Sequence, residues 1–67
     1  MNVTTKDFKA YLEVQLSSKY NMLSTEAQLK SGLDVKTYVG ILRDYRRLFE
    51  KYKDSEECKY LLEEHGY

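Results

Sequence analysis

The sequence predicts an all-α fold, a small bundle of three to four helices with one long central helix. Proline is absent and glycine occurs only three times in 67 residues, so the chain has little of the punctuation that turn-rich β domains need. Apolar side chains also recur every three or four positions, which is the period of one face of a helix. At this length we expect a single domain over residues 1–67, with no room for a catalytic scaffold and a cofactor domain.

The first helix is predicted to run from about Thr5 to Lys19. Thr4 and Asp7 have the spacing of a capping box, in which each side chain bonds to a backbone N–H at the start of a helix. The register of apolar residues breaks at Tyr20, which places the end of the helix just before it. The apolar residues at helical spacing are Phe8, Tyr11, Leu12 and Leu16.

The second helix is short and has a signal at each end. Ser24 is typical of a residue that caps the start of a helix, and Gly32 is typical of the left-handed residue that ends one. Asp34 follows two residues later and is again a good capping residue. The sequence therefore predicts a short helix that includes Ala27 and Lys30, then a turn, then a third helix.

The third helix has the strongest periodic signal, and we expect it to run over about residues 34–52 as the central helix. Two series repeat there every seven residues on one helical face: Val35, Leu42 and Phe49; Tyr38, Tyr45 and Tyr52. Ile41 and Leu48 widen this stripe, as in a helix that faces a core. A tyrosine at an interface can bury its ring and keep its hydroxyl in water. The stripe is therefore either core or, at Tyr45 and Tyr52, a seam that meets a second chain.

A last helix is predicted after Asp54, which has capping-box spacing with Glu57. It would carry Cys58 and end at Gly66. No glycine or proline lies near Lys53, so the alternative is that the third helix continues unbroken into the last one.

The cysteine content and the short apolar runs indicate the cellular compartment in which the protein is expected. A single cysteine cannot form an intramolecular disulfide framework, which secreted domains of this size usually need. The longest apolar run covers only residues 38–42, so the sequence matches neither a signal peptide nor a membrane span. We therefore expect a cytoplasmic protein that does not use a membrane.

The sequence has few groups for enzymatic chemistry. His65 is the only histidine, and with Cys58 it would supply two of the four ligands that zinc requires. No glycine-rich loop that cradles phosphates is present. We therefore expect no catalytic residue, no metal and no cofactor, and interpret Cys58 as a small buried hydrophobic residue.

Charge is separated along the chain. Eleven basic and eleven acidic residues cancel in total, but residues 30–53 have seven Lys and Arg against three acids, and residues 54–67 have one Lys against five acids. Lys36, Arg43 and Arg47 fall on one face of the predicted long helix. Gly40 lies between them, and a glycine inside a helix costs about 1 kcal/mol relative to alanine. Such a glycine indicates close approach of another surface, such as a DNA backbone, or tight packing inside the fold.

Residues 24–43 combine a short helix, a turn and a capped second helix. Gly32 fits a turn glycine, Asp34 fits a cap, and Tyr38 and Ile41 fit two apolar anchors of the second helix. In this pattern the stretch resembles the helix-turn-helix motif of DNA-binding domains. The resemblance implies that the second helix reads DNA near its N-terminal end. The side chains that would face the DNA groove are Lys36, Thr37 and Arg43.

Two functions are compatible with these patterns. The first is a small non-enzymatic helix-turn-helix-like DNA-binding regulator. The alternative is a protein-binding adaptor or inhibitor that uses a Tyr/Arg-rich face of the long helix, since these residue types are enriched at interface hot spots. The expected partner is DNA or an acidic protein surface, and charge separation would allow a homodimer. The candidate DNA- or partner-binding residues are Lys36, Thr37, Tyr38, Gly40, Arg43, Arg46 and Arg47.

Overall fold

A computed structural model of the protein describes residues 3–66. Within that range the chain is all-α, as predicted, with five helices and no strand. The prediction of three to four helices with one long member is wrong in number and in length. The helices are α1 (Thr5–Ser17), α2 (Thr25–Ser31), α3 (Val35–Arg43), α4 (Tyr45–Tyr52) and α5 (Glu56–Glu64).

The centre of the fold is α1, not the predicted helix over residues 34–52. Each of the other four helices packs against α1, and α5 does so most extensively. Phe8 and Leu12 of α1 are fully buried. Four side chains of α1 are buried, more than in any other helix, and the later helices surround it.

The predicted long helix is divided at Asp44 into α3 and α4. The backbone of Asp44 leaves the helical region, with φ of −111° and ψ of 26°. Aspartate is a poor helix former because its short polar side chain competes for backbone hydrogen bonds. Its side chain makes no capping hydrogen bond at the start of α4. The two helices therefore meet at a bend, without a glycine or a proline.

Several predicted helix ends are confirmed. Thr4 Oγ1 accepts a hydrogen bond from the Asp7 N–H at 3.1 Å, and Asp7 Oδ2 accepts one from the Thr4 N–H at 3.2 Å. Ser24 and Asp34 cap α2 and α3 through their side chains. Gly32 ends α2 in the left-handed conformation, with φ of 75°.

Two predicted ends are wrong, and one alternative that the sequence left open is resolved. Helix α1 stops at Ser17 instead of Lys19 because Ser18 adopts the left-handed conformation, with φ of 59°. The cap of α5 is Ser55, whose Oγ accepts from the Cys58 N–H at 3.4 Å, and not Asp54. The third helix does not continue into the last one, since residues 53–55 form a turn.

An aromatic ladder joins α1 to α3 and α4. The Tyr11 ring lies between those of Tyr38 and Tyr45, with centroid distances of 5.4 and 5.7 Å. The Phe8 ring lies between those of Tyr45 and Tyr52, at 5.8 and 5.9 Å. Residues early in α1 thus meet residues late in α4, so α1 runs antiparallel to the α3–α4 pair.

Three tyrosine hydroxyls of this ladder, those on α3 and α4, are bonded inside the fold. Tyr38 donates to the Met22 carbonyl at 2.6 Å, Tyr45 to Gln15 Oε1 at 3.0 Å, and Tyr52 to the Val3 carbonyl at 2.6 Å. Most of the stripe therefore faces the core, whereas Val35 at its start is 63% exposed. The rings and hydroxyls of its tyrosines contact α1 and the segments beside it. Tyr45 and Tyr52 are half-buried with bonded hydroxyls, and their role as a seam for a second chain stays a prediction.

Candidate functional site

A groove of about 630 Å³ lies between the N-terminal segment and the bend of α3 and α4. It is named the basic groove here. Val3, Thr4 and Thr5 form one side of it. The residues that line the other side are Gly40, Arg43, Asp44, Arg47, Leu48, Lys51 and Tyr52.

Three cationic side chains line the basic groove at steps of four residues. Arg43, Arg47 and Lys51 are all exposed, and a step of four residues advances about 6 Å along a helix. Within residues 3–66 the one ion pair closer than 4.0 Å joins Lys53 to Glu50, at 3.1 Å. No carboxylate of the described chain therefore neutralises these three cations by direct contact.

The N-terminal side of the groove is held in place from two directions. The Tyr52 hydroxyl donates to the Val3 carbonyl at 2.6 Å, and the capping box fixes Thr4 at the start of α1. At the same end of the groove, Lys51 Nζ lies 5.3 Å from the centroid of the Tyr52 ring. The groove is thus bounded by backbone that the fold constrains, and not by a free tail.

The connection between α2 and α3 is short and hydrogen-bonded. Gln28 Nε2 donates to the Leu33 carbonyl, and the Leu33 N–H donates to Ser31 Oγ at 3.1 Å. The Thr37 N–H donates to Asp34 Oδ1 at 3.1 Å. Side-chain and backbone hydrogen bonds with Thr37 hold the pKa of Asp34 below its usual value, which keeps this cap ionised. The start of α3 is therefore well defined relative to α2.

The outward face of α3 mixes cationic and apolar side chains. Lys36 and Arg43 are exposed, and the exposed fractions of Val35 and Val39 are 63% and 41%. Burial of Tyr38 and Ile41 on the opposite side fixes which face of α3 is free.

The predicted site residues divide between two surfaces. Gly40, Arg43 and Arg47 come together in the basic groove, whereas Lys36 lies outside it. Arg46 lines a separate shallow depression with Arg43, Arg47 and Glu50. Arg43 and Arg47 line the same groove on either side of Asp44, so of the basic row expected on a straight helix only Lys36 lies apart.

Two further predicted residues serve the fold. Tyr38 is only 3% exposed, so the expectation that its side chain contacts DNA or a partner is corrected: the ring is part of the core. Thr37 is half-buried and its N–H is bonded to the Asp34 cap.

Sequence reasoning missed two parts of this region. Lys51 follows Arg47 by four residues, and that spacing was a usable signal. Val3–Thr5 carried no signal for this role, because this side of the groove depends on a contact between the start of the described chain and Tyr52 of α4. A shallow apolar cavity of about 200 Å³ was also missed. Its apolar patch, as we name it, comprises Leu23, Val35, Val39 and Leu42.

The remaining features of the described chain concern metal ligands, the cysteine and similarity to known proteins. Among residues 3–66, no three His, Cys, Asp or Glu side chains are grouped so that they could hold a metal ion. Cys58 is fully buried, as its interpretation as a small hydrophobic residue predicts. None of the five helices has the length and apolar character needed to cross a membrane. The chain has no significant match to a protein-family model, a curated protein or a solved structure.

Proposed function

We propose that this protein is a small non-enzymatic DNA-binding regulator that presents α3 to duplex DNA in a helix-turn-helix-like manner. One observation carries the proposal: a short hydrogen-bonded turn leads into α3, whose free face displays the cations Lys36 and Arg43. An exposed, capped helix that follows a second helix closely is the arrangement that enters the major groove in such proteins.

The polar side chains of α2 support this arrangement. Helix-turn-helix proteins usually have alanine where this chain has Gln28, and an apolar residue where it has Ser31. Here both side chains bond to Leu33, one to its carbonyl and one to its N–H. The departures from the motif therefore stabilise the turn that the motif requires.

The free face of α3 offers both kinds of contact that DNA recognition uses. Lys36 lies in the first turn of α3, where recognition helices read bases. Val39 is exposed on the same face and is suited to the methyl group of thymine. Arg43 lies at the other end of α3 and is suited to a phosphate, which sets register rather than sequence preference.

A titration of labelled duplex DNA at low and moderate salt tests the proposal. We expect binding that weakens steeply as salt rises, because neutralising phosphates releases counterions. Arg43→Glu should weaken binding far more than Lys59→Glu, which makes the same charge change at an exposed position of α5. Absence of binding at low salt would refute the function, and equal effects of the two variants would refute the choice of surface.

The second candidate function is a protein-binding adaptor or inhibitor, and the apolar patch favours it. Leu23 is 80% exposed and Val35 63% exposed beside the cations of α3. A partner of matching chemistry has an apolar surface flanked by acidic residues. Val39→Asp should abolish capture of such a partner from the native host. Leu29→Asp is the matched control, since Leu29 is exposed on α2 and does not line the cavity.

A further inference from the structure

The basic groove contains features that recognition by the free face of α3 does not use. Lys51 lies on α4, beyond the bend. Thr4 and Thr5 lie at the start of α1, on the other side of the groove. The groove is therefore a second surface, which shares Arg43 with the first.

The charges of the groove select an anion with several negative groups in a row. Arg43 ends α3, and Arg47 and Lys51 lie about one turn apart on α4, so one small anion would contact only one or two of them. Arginine and lysine are the residues that bind phosphate oxygens most readily. Asp44 is the single acid that lines the groove. A linear chain of phosphates is thus the ligand class that fits this spacing.

A phosphate chain can approach the groove closely at Gly40 and can accept a hydrogen bond from a threonine hydroxyl. Gly40 lines the groove without a side chain, which leaves the surface of α3 open to approach there. The hydroxyl of Thr4 accepts the Asp7 N–H and still has its own proton to donate.

We propose that the basic groove binds a segment of the sugar–phosphate backbone, so that one strand of the duplex lies between Val3–Thr5 and the bend of α3 and α4. This assignment rests on the proposed DNA-binding function and adds a position for the backbone. The free face of α3 then reads base edges, while the groove sets the register of the duplex.

The test measures duplex affinity over a range of salt concentrations for variants of the groove alone. Lys51→Gln should weaken binding to all sequences alike and reduce the salt slope by about 1, as expected for one lost phosphate contact. Asp44→Asn should strengthen binding, since it removes the one acid in the groove. Lys59→Gln on α5 is the matched control and should leave the slope unchanged.

A second arm uses linear tripolyphosphate alone, followed by the backbone amide signals of the full-length protein. We expect shifts at Val3–Thr5, Gly40 and Lys51, and none on α5. This probe reports on the groove without any contribution from base reading.

The possible results distinguish a failure of the groove assignment from a failure of the proposed DNA-binding function. Duplex binding that is insensitive to both Lys51→Gln and Asp44→Asn would overturn the groove assignment and leave the DNA-binding function standing. Absence of duplex binding would refute that function and the duplex as ligand. In that case, amide shifts with tripolyphosphate would retain the groove as a site for phosphate chains, and unshifted amides would remove it.

Discussion

Ser18 is the only residue other than glycine with a positive φ in residues 3–66. A left-handed conformation is costly for residues with a Cβ and is accessible to glycine. We expect Ser18→Gly to raise the free energy of unfolding by about 0.5–1 kcal/mol, measured by urea denaturation. Ser17→Gly is the control and should lower it, because Ser17 is the last helical residue of α1 and its hydroxyl donates to the Val14 carbonyl at 2.6 Å. A loss of stability in Ser18→Gly would show that its side chain has a role of its own.

The buried phenol of Tyr11 should make the fold less stable as the pH rises into the alkaline range. Burial, followed by the nearby phenols of Tyr38 and Tyr45, raises the pKa of Tyr11 to about 12 from 10.0. Between these values the unfolded chain has released the proton and the folded chain retains it, so stability falls as pH rises. Tyr11→Phe should flatten the fall in the free energy of unfolding from pH 10 to 12. Tyr60→Phe, at an exposed position, is the control. An unchanged slope in Tyr11→Phe would contradict this account.

At the scale of elements, Gly40→Ala should change the stability of the fold and its affinity for duplex DNA in opposite directions. Alanine inside a helix is about 1 kcal/mol more stable than glycine, so Gly40→Ala should raise the free energy of unfolding. The same variant should weaken duplex binding, because Gly40 lines the basic groove. Both quantities can be measured on one sample by denaturation and titration. A loss of stability instead would assign Gly40 to tight packing inside the fold.

Helix ends with a local chemical signal were predictable from the sequence. Ser24, Gly32 and Asp34 act through hydrogen bonds or a φ value that depend on residues nearby in the chain. The bend at Asp44 has only a weak local signal, the poor helix propensity of aspartate, because no glycine or proline lies there. Tyr38 before the bend and Tyr45 after it both pack on Tyr11, so tertiary contacts hold the two helices in their places.

In the candidate site, too, the features with a local signal in the sequence were predictable and those that depend on tertiary contacts were not. The exposed cations Arg43 and Arg47 follow from charge and helical spacing. The position of Val3–Thr5 does not, because it depends on a hydrogen bond between Val3 and Tyr52, which are 49 residues apart. Tyr38 was placed both among the apolar anchors of α3 and among the binding residues, because heptad spacing identifies an apolar face but not what covers it; its burial agrees with the anchor role.

At the scale of the whole molecule, the acidic C-terminal region is part of the fold. Cys58 and Leu62 of α5 are buried in the core, so deleting this region would disrupt packing as well as charge. Its effect on binding is better tested by Glu56→Gln with Glu57→Gln, two exposed carboxylates in the first turn of α5. We expect stronger duplex binding at low salt and a smaller gain near 0.15 M, where screening extends about 8 Å. If the double variant and the unsubstituted protein bind duplex DNA with the same affinity at each salt concentration, long-range repulsion by α5 is excluded.

The central claim is that one side of the molecule, formed by the free face of α3 and the basic groove, meets nucleic acid. The most direct measurement is the change in backbone amide signals of the full-length protein when duplex DNA is added at low salt. The account predicts shifts from Lys36 through Lys51 and at Val3–Thr5, with α5 unaffected. Shifts confined to α5, or no shift at any residue, would contradict it.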